Sequence, residues 1–347
     1  MATYEEAGVN IEMGDECSRI AYESAKATFS SRDGMIGRPV ILEGGFSGAM
    51  DFGDFYLVQN DDGIGTKMAV ATQMGKYDTM GYDLLAMVAD DAICVGAETV
   101  SISNTIDVEK INKDVISQLM KGLENACKEH KIVIPGGEIA ELGTMINGYV
   151  WNATAIGIVE KEKFITCKDV EPGDPIIGLH TDMFRSNGMT LVRHVLSQNL
   201  GPEWYKVEFE DGKTWGEVVL TPTRIYHSAV LEMIGRYKQP RLINPKGIAH
   251  ITGGGLPGNV VRIVKGKGLG ARLDSLPEPK KPMKVLQKMG NISDEEAYKT
   301  WNMGVGLAIV SPDVEKVIEI AAKYGIKAQK IGEVTSTPGI IIGDMKF

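Results

Sequence analysis

The spacing of apolar residues alternates along this chain between that of strands and that of helices, and this alternation restricts the fold more than any other feature. Residues 100–106 alternate apolar and polar side chains, as a half-buried strand does, whereas residues 111–129 carry an apolar stripe at helical spacing. A charged, turn-rich stretch at 160–174 interrupts the pattern, which restarts beyond it. Since 347 residues exceed the size of most single domains, we predict two α/β (α+β) domains, 1–168 and 169–347.

The same patterns locate the other predicted elements on either side of that interruption. Further strands are predicted at 55–58, 132–134, 149–159, 175–179, 248–251, 328–334 and 339–342. Further helices are predicted at 81–93, 189–197, 256–264 and 313–323, and Ser293 opens another as part of a capping box. The polar, aromatic segment 201–216 is predicted to be a surface excursion.

Charge and composition exclude several classes of function. The formal net charge of −9 is opposite to the dense Lys/Arg that binds a nucleic-acid backbone. The 4 cysteines form no C-x-x-C pair and the 5 histidines lack metal-ligand spacing, which argues against zinc and indicates reduced thiols. The acidic amino terminus is unlike a signal peptide, and no apolar run approaches the ~20 residues of a membrane span. We therefore expect a cytoplasmic protein that binds small molecules, with no nucleic acid and no membrane.

The stretch QNDDGIGTKM, residues 59–68, places two carboxylates beside a glycine turn that ends in Lys67. Its spacing fits neither a P-loop nor G-x-G-x-x-G. Two interpretations are open from these residues alone. Asp62 could hold magnesium that meets phosphates while Lys67 balances the charge, or Asp61 and Asp62 could bond nearby amides in a tight turn.

Further acidic residues lie next to glycine-containing turns in the first half. Asp83 and Asp90 share nearly one face of the predicted helix, and Asp91 is one step round. Glu138 follows two glycines at the end of a predicted strand. A solvated helix edge is the ordinary alternative, but two acidic clusters beside turns favour shared magnesium coordination with Asp62.

Two glycine-containing loops in the second half each precede a predicted helix. Ser186-Asn187-Gly188 forms the first loop, where free helix amides make an anion seat to which Arg185 adds a charged fork; an ordinary N-cap is the alternative. Gly253, Gly254 and Gly255 form the second loop, and three successive glycines indicate a sharp turn or a close approach to a ligand.

Taken together, these segments resemble the aminoimidazole ribonucleotide synthetase family of purine biosynthesis, also called phosphoribosylformylglycinamidine cyclo-ligases. The resemblance runs nearly end to end and rests on the number and order of the shared motifs. These include Thr3-Tyr4-x-x-Ala7-Gly8-Val9, Asp62-Gly63-x-Gly65-Thr66-Lys67, Gly136-Gly137-Glu138, Ser186-Asn187-Gly188, Pro222-Thr223-Arg224-Ile225-Tyr226 and Ala249-His250-x-Thr252-Gly253-Gly254-Gly255.

The resemblance implies a fold, a reaction and a set of ligands. The fold is a pair of α/β domains, with strands of the first domain joining those of a second subunit in a barrel across a homodimer. The reaction is the ATP-dependent cyclisation of formylglycinamidine ribonucleotide to aminoimidazole ribonucleotide, ADP and phosphate. ATP is implied to lie between the domains with magnesium. Phosphoryl transfer depends on positioning and charge neutralisation, so no nucleophilic Ser or Cys is required.

The resemblance also implies roles for individual residues. Asp62 and Asp91 are the implied magnesium ligands and, with Lys67 and Arg185, the implied catalytic residues. The implied ATP-binding residues are Gly44, Gly45, Gly48, Gly63, Gly65, Thr66, Lys67 and Glu138. The implied substrate-binding residues are Ser186, Asn187, Gly188, His250, Thr252, Gly253, Gly254 and Gly255.

The chain departs from the family pattern at a few positions, of which Arg185 matters most. The family has His there, and a guanidinium cannot exchange a proton near neutral pH. Asp61 also replaces a Thr, so we interpret it as a turn-bonding or solvated residue. Two other functions use the same architecture: ATP-dependent phosphoryl transfer of the selenophosphate synthetase or thiamine monophosphate kinase type, and non-catalytic ATP binding by a maturation protein.

Overall fold

The structure, a computed structural model, describes residues 2–41 and 45–347. The helices within these residues are α1 (Ile11–Ala27), α2 (Lys67–Met74), α3 (Met80–Cys94), α4 (Lys113–His130), α5 (Met189–Leu200), α6 (Trp215–Val219), α7 (His227–Ile234), α8 (Gly255–Val264), α9 (Lys281–Met289), α10 (Asp294–Thr300) and α11 (Val314–Lys323). Short 3-10 helices lie at Phe29–Arg32, Gly143–Met145, Lys161–Lys163, Trp204–Lys206 and Lys265–Lys267. Gly44, one of the residues predicted to bind ATP, is outside the described residues.

The strands form two large sheets and one small hairpin. They are β1 (Arg38–Val40), β2 (Gly48–Asp51), β3 (Phe55–Gly63), β4 (Glu98–Val108), β5 (Val133–Glu141), β6 (Tyr149–Glu160), β7 (Pro175–His180), β8 (Glu208–Glu210), β9 (Lys213–Thr214), β10 (Gly247–His250), β11 (Gly270–Leu273), β12 (Val305–Val310), β13 (Ala328–Thr335), β14 (Gly339–Ile342) and β15 (Met345–Lys346). The first sheet has the order β1-β2-β3-β6-β4-β5, and the second has the order β10-β12-β7-β13-β11-β14-β15.

The first sheet is antiparallel except where β4 pairs with β5. Helices α3 and α4 pack together, and α3 lies against β3, β4 and β6. The apolar face of α4 is buried, including Val115, Leu119 and Leu123, which confirms the stripe predicted from the sequence. The sheet is thus covered on one side by α3, which is buried almost throughout, and by the amphipathic α4.

The second sheet is buried on both faces. Neighbouring residues of β7 point in opposite directions, so Ile176 packs in the cluster that contains α8, whereas Ile177 packs in the cluster that contains α7 and α11. Every residue of β12, which lies between β10 and β7, is buried. Strands that are buried on both faces have continuous apolar runs in their sequence. The two sheets and their helices together confirm the predicted α/β (α+β) class.

Helix α3 connects the two halves, because it also contacts β10 and α7 of the second half. Its apolar residues are buried almost throughout, and Asp83 and Asp90 are 0% exposed. The solvated-edge interpretation of these two carboxylates is therefore wrong. Buried carboxylates require partners, and those partners come from the second half of the chain.

Two predicted loops continue as strands. β3 runs to Gly63, because Asp61 and Asp62 pair with Thr154 and Ala153 of β6. β5 likewise runs from Val133 to Glu141, through the glycines that were predicted to end it. The partner strand supplies hydrogen bonds that offset the low strand propensity of Asp and Gly. The elements that were not predicted from the sequence at all are α1, α2, α6, α7, α9, β1, β2, β8, β9, β11, β12 and β15.

Gly81 of α3 marks the close approach of α3 and α4. A Cβ atom there would lie under 3.0 Å from backbone atoms of Gly122 and Leu123. Backbone atoms cannot rotate away, so we expect Gly81→Ala to lower the free energy of unfolding by at least about 3 kcal/mol, measured by urea denaturation.

Gly14 of α1 is the matched control, because a Cβ there meets nothing within 4 Å. Gly14→Ala should leave the free energy of unfolding within about 1 kcal/mol of the original value, on the stabilising side. Equal losses in the two variants would contradict the close helix packing.

Candidate active site

Asp62 and Asp91 form a pair of interacting carboxylates between β3 and α3. The pKa of Asp62 is raised to about 6, mainly by burial and also by the negative charge of Asp91. The Gly63 amide, which donates to Asp62 Oδ1 at 2.6 Å, opposes this rise. Burial also raises the pKa of Asp91 to about 7, while Arg262 and Arg185 oppose that rise. The raised pKa values show that the ionised form of each carboxylate is destabilised. A cation bound between them would stabilise both negative charges.

A buried chain of polar contacts connects Asp91 to the second half. His250 Nδ1 lies 2.8 Å from Asp91 Oδ1, and His250 Nε2 lies 2.6 Å from Arg185 Nη2. Burial and the neighbouring Arg185 lower the pKa of His250 to about 3, so the ring is neutral. Because the guanidinium can only donate, His250 accepts at Nε2 and donates from Nδ1 to Asp91. These contacts from His250 and Arg185 fix the orientation of the Asp91 carboxylate.

Asp90 anchors the other end of that chain. Its Oδ2 accepts from Arg185 Nη2 at 3.1 Å, and its Oδ1 accepts from the amides of Tyr226 and His227 at 2.9 and 3.0 Å. These two amides belong to the start of α7, so Asp90 caps that helix from another element. Asp90 is a structural partner of α7 and Arg185.

Arg185 lies elsewhere than its predicted place at the anion seat. The side chain is 1% exposed and lies over the Tyr226 ring at 5.1 Å, and its Nη1 donates to the Arg224 carbonyl at 3.1 Å. Its charged end therefore points inward, to Asp90 and His250. The prediction that Arg185 presents its charge to a ligand is therefore wrong. Arg185 forms an internal ion pair with Asp90.

Lys67 is also internal. Its Nζ is 2.6 Å from Asp83 Oδ1 and 2.9 Å from the Thr221 carbonyl, and both ionic side chains are 0% exposed. Thr223 also donates to Asp83 Oδ1. The predicted phosphate contact of Lys67 is therefore corrected: this lysine joins α2, α3 and the segment before α7. The positive charge of Lys67 is balanced by the negative charge of Asp83 inside the protein.

The predicted ATP-binding glycines lie in different settings. Gly48 begins β2 and pairs with Gln59, so it belongs to a strand and not to a covering loop. Gly63 ends β3 against Asn152, while Gly65, with φ +66, makes the turn into α2. Thr66 lies at the N-cap position of α2, and its Oγ1 is 3.1 Å from Thr190 Oγ1 in the second half.

Glu138 lies apart from these residues in the described chain. It is exposed on β5, the edge strand of the first sheet, where it pairs with Thr105. Two strands, β6 and β4, separate β5 from the β3 strand that carries Asp62. Within one copy of the chain, Glu138 is not brought to the carboxylate pair.

The loops before α5 and α8 lie next to one another. A Cβ on Gly253 would be 3.9 Å from Asn187 Nδ2. Gly188 and Gly254 are the N-cap residues, with φ 75 and 85, and no side chain caps either helix. In the part of the chain that the structure describes, Ser186 Oγ and Asn187 Oδ1 are buried atoms without a hydrogen-bond partner. The two helix amino termini and the Ser186 hydroxyl, which can donate, form a seat for an anion, whereas Asn187 Oδ1 can only accept a hydrogen bond.

Asn259 holds the glycine loop in shape. Its Nδ2 contacts the carbonyl oxygens of Thr252, Gly253 and Gly255 at 3.4, 3.1 and 2.7 Å. Sequence reasoning missed this residue, although an asparagine four residues into a glycine-initiated helix is placed to reach back to the loop. These hydrogen bonds from Asn259 hold the backbone of the loop in place, so no ligand is needed to orient its amides.

Arg262 was also missed. Its guanidinium lies 3.6 Å from the Phe46 ring centroid, and Nη2 donates to the Gly45 carbonyl at 2.6 Å. Together with Val95 and Ile248, these residues line a cleft between the two halves of the molecule. Only the fold shows this grouping, because the residues come from four separate segments.

No cluster of three or more metal-ligating side chains occurs in residues 2–41 and 45–347. Two carboxylates alone leave most of a cation's coordination sphere to water or to a ligand, which is typical of magnesium bound together with phosphates. None of the described helices combines the length and the apolar character needed to cross a membrane.

Comparison with known families gives matches over most of the chain. The model described as AIR synthase related protein, N-terminal domain, matches residues 45–159, and that described as AIR synthase related protein, C-terminal domain, matches residues 171–344. The phosphoribosylformylglycinamidine cyclo-ligase of Methanocaldococcus jannaschii is 41% identical, over 97% of this chain and 93% of its own length. That of Pyrococcus furiosus is 39% identical, over 99% of this chain and 98% of its own length.

Solved structures share the fold at much lower identity. A HypE–HypF complex matches with a TM-score of 0.63 and 19% identity, covering 86% of this chain and 89% of the solved one. AaThiL with AMPPCP and TMP matches with a TM-score of 0.62 and 15% identity, covering 89% and 90%. At such identities the similarity shows a common architecture alone.

Proposed function

This chain belongs to the AIR synthase family, and we propose from this premise how its residues serve the family reaction. It is an ATP-dependent cyclo-ligase of purine biosynthesis, which converts formylglycinamidine ribonucleotide to aminoimidazole ribonucleotide, ADP and phosphate. The near full-length similarity to relatives that carry this name supports the assignment. The reaction needs a phosphoryl group placed on the formamide oxygen, followed by attack of the substrate's own nitrogen and departure of phosphate.

The observation that carries the proposal is the Asp62–Asp91 pair. Both pKa values are raised, to about 6 and about 7, because the two carboxylates are buried and, at Asp62, close to a like charge. The donor set is all oxygen, which suits magnesium. Asp62 and Asp91 would hold magnesium, which would neutralise the phosphates of ATP, and the cleft beside Phe46 and Arg262 offers the space between the two halves.

His250 and Arg185 serve the site through orientation. Neutral His250 donates to Asp91, and Arg185 holds the ring from its other side. Arg185 therefore acts on a carboxylate ligand through His250 and exchanges no proton itself. This assignment makes a guanidinium at the position of the family's His compatible with the reaction.

The substrate side is proposed at the two glycine loops. Ser186, Asn187 and Gly188 open α5, and the Gly253 to Gly255 loop opens α8 beside them. Their free amides and the Ser186 hydroxyl, which has no partner among the described residues and can donate, suit the phosphate of a ribonucleotide. His250 and Thr252 border the same loop, so this seat and the carboxylate pair belong to one site.

A kinase or a maturation protein is less well supported. The ThiL and HypE structures share the fold at 15% and 19% identity, whereas the cyclo-ligase relatives reach about 40% over nearly the whole chain. The domain boundary at 168 and 169 and the cytoplasmic location remain predictions; the four free cysteines fit the latter.

The exposed edge of the first sheet suits a homodimer. Strand β5 ends the sheet, and its apolar side chains Val133 and Ile139 are 62% and 42% exposed. An open edge with apolar side chains is normally paired or covered.

We expect Ile139→Lys to convert a dimer to a monomer in sedimentation velocity at micromolar protein, because it places a charge in the pairing surface. Leu242→Lys, on the second half, is the control that stays dimeric; a wild-type monomer would contradict the proposal.

A steady-state assay tests the reaction. The purified protein should form aminoimidazole ribonucleotide, ADP and phosphate in equal amounts from formylglycinamidine ribonucleotide and ATP with magnesium. Substrate-dependent release of phosphate without the imidazole product would favour another phosphoryl-transfer function.

A further inference from the structure

The loop before α5, residues 181–188, lies along the connection between α10 and β12, residues 301–304. The Thr181 amide donates to the Gly304 carbonyl at 3.1 Å. Asn302 Nδ2 donates to the Met183 carbonyl, also at 3.1 Å, and Asn302 is itself 6% exposed. The first residues of the loop are therefore attached to a segment that is distant from them in sequence.

Trp301 contacts the other end of the same loop, where α5 begins. Its Nε1 donates to the Gly188 carbonyl at 3.3 Å, and its ring packs edge-on against Phe184 with the two centroids 5.8 Å apart. The Gly188 carbonyl also accepts from the Val192 amide at 3.2 Å, in the first turn of α5. Trp301 is 1% exposed, so water cannot replace the indole donor. The tryptophan thus holds the N-cap residue of α5 in place.

The last turn of α10, just before Trp301, lies against both glycine loops of the proposed substrate seat. A Cβ at Gly188 would lie under 3.0 Å from the Thr300 carbonyl oxygen, and a Cβ at Gly255 would lie under 3.0 Å from the Tyr298 carbonyl oxygen. Backbone carbonyls cannot rotate away, so this close approach requires glycine at both positions. One short segment therefore sets where α5 and α8 begin relative to each other.

We propose that Trp301 is a positioning residue of the substrate seat, which holds the first amides of α5 where they bind the phosphate of the ribonucleotide. This assignment rests on the proposed function for the identity of the ribonucleotide. The indole nitrogen is bonded to the Gly188 carbonyl, so Trp301 acts on the substrate through the loop and not by contact. Because ATP is proposed at the carboxylate pair, the effect of Trp301 is confined to the ribonucleotide.

Trp301→Phe tests the proposal, because it retains a ring beside Phe184 and removes the donor to Gly188. The loss of a hydrogen bond between neutral groups corresponds to roughly a 3- to 10-fold change in affinity. The KM for formylglycinamidine ribonucleotide should rise by that factor. Both kcat and the KM for ATP should stay within about twofold, because a seat for a group that does not react serves binding and not the chemical step.

Trp204→Phe is the matched control, because it makes the same change at the other end of α5. Trp204 follows the carboxyl end of that helix, is 2% exposed and belongs to the same core cluster as Trp301. Both variants should lower the melting temperature, but Trp204→Phe should leave both KM values within about twofold. Equal rises of the substrate KM in the two variants would show that Trp301 contributes to stability alone.

Binding of ribose 5-phosphate, measured by calorimetry without ATP, separates this proposal from the proposed reaction. Wild-type protein and Trp204→Phe should bind it equally, and Trp301→Phe should bind it roughly 3- to 10-fold more weakly. Unchanged binding and an unchanged substrate KM in Trp301→Phe would overturn the assignment, as would a rise confined to the KM for ATP. If Trp301→Phe weakens this binding but wild-type protein forms no imidazole, the proposed reaction fails while the role of Trp301 stands.

Discussion

Asp62→Asn and Asp91→Asn are each expected to lower turnover by about two to four orders of magnitude while the fold persists. A metal held by these carboxylates would contribute several kcal/mol of charge stabilisation, and each ~1.4 kcal/mol is about a factor of ten in rate. Both carboxylates already have raised pKa values through burial, so a neutral amide removes charge at little cost to folding. Turnover at saturating ATP and magnesium, together with thermal unfolding, measures the two effects separately.

Asp61→Asn is the matched control for that prediction. Asp61 is adjacent to Asp62 but exposed, and its carboxylate accepts a hydrogen bond from Thr154 on the neighbouring strand. It should retain turnover within about twofold, since a surface substitution away from the site changes little. Near-normal turnover in Asp62→Asn or Asp91→Asn, or equal losses at all three positions, would show that the magnesium site is placed wrongly.

Arg185→Met is expected to lower the free energy of unfolding by about 3–5 kcal/mol, because it leaves Asp90 as an unpaired buried charge. The two groups are 1% and 0% exposed and 3.1 Å apart, so solvent cannot replace the lost partner. Arg185→His should recover only part of this loss, since one ring cannot contact Asp90, His250 and the Arg224 carbonyl together. Urea denaturation measures the change.

Arg224→Met is the comparison for Arg185. Arg224 pairs with Asp182 at 2.6 Å, but the side chains are 28% and 48% exposed, so the loss should be about 0–1 kcal/mol. The double variant with Asp90→Asn should recover part of the stability lost in Arg185→Met, because the buried charge is removed as well. No recovery, or a loss no larger than that of Arg224→Met, would contradict the internal ion pair.

The sequence predicted the parts of this molecule that depend on local pattern. Helix α4 and strand β14 follow their predicted ranges closely, because apolar spacing and turn residues decide them. Asp62 and Asp91 were singled out as a pair by the family resemblance, whereas the residues alone favoured shared magnesium coordination by two acidic clusters beside turns. An anion seat before α5 was one of two interpretations of Ser186-Asn187-Gly188, and the ligands of both places remain predictions.

The remaining features depend on partners that are distant in the chain. Lys67 and Arg185 were assigned to ligands because a charged residue beside a glycine turn is usually exposed, whereas here Asp83 and Asp90 receive them inside the protein. The extension of β3 likewise depends on β6, about ninety residues later. Such pairings require the folded arrangement, in which α3 lies between the two halves.

The central claim, that this chain closes an imidazole ring by phosphorylating the formamide oxygen, is tested most directly with an isotopic label. Formylglycinamidine ribonucleotide with ¹⁸O in its formyl group is incubated with ATP, magnesium and the protein, and the released phosphate is examined by mass spectrometry. We predict one ¹⁸O atom in phosphate for each aminoimidazole ribonucleotide formed, with no transfer in Asp62→Asn beyond its residual turnover. Imidazole formation that releases unlabelled phosphate would contradict the account.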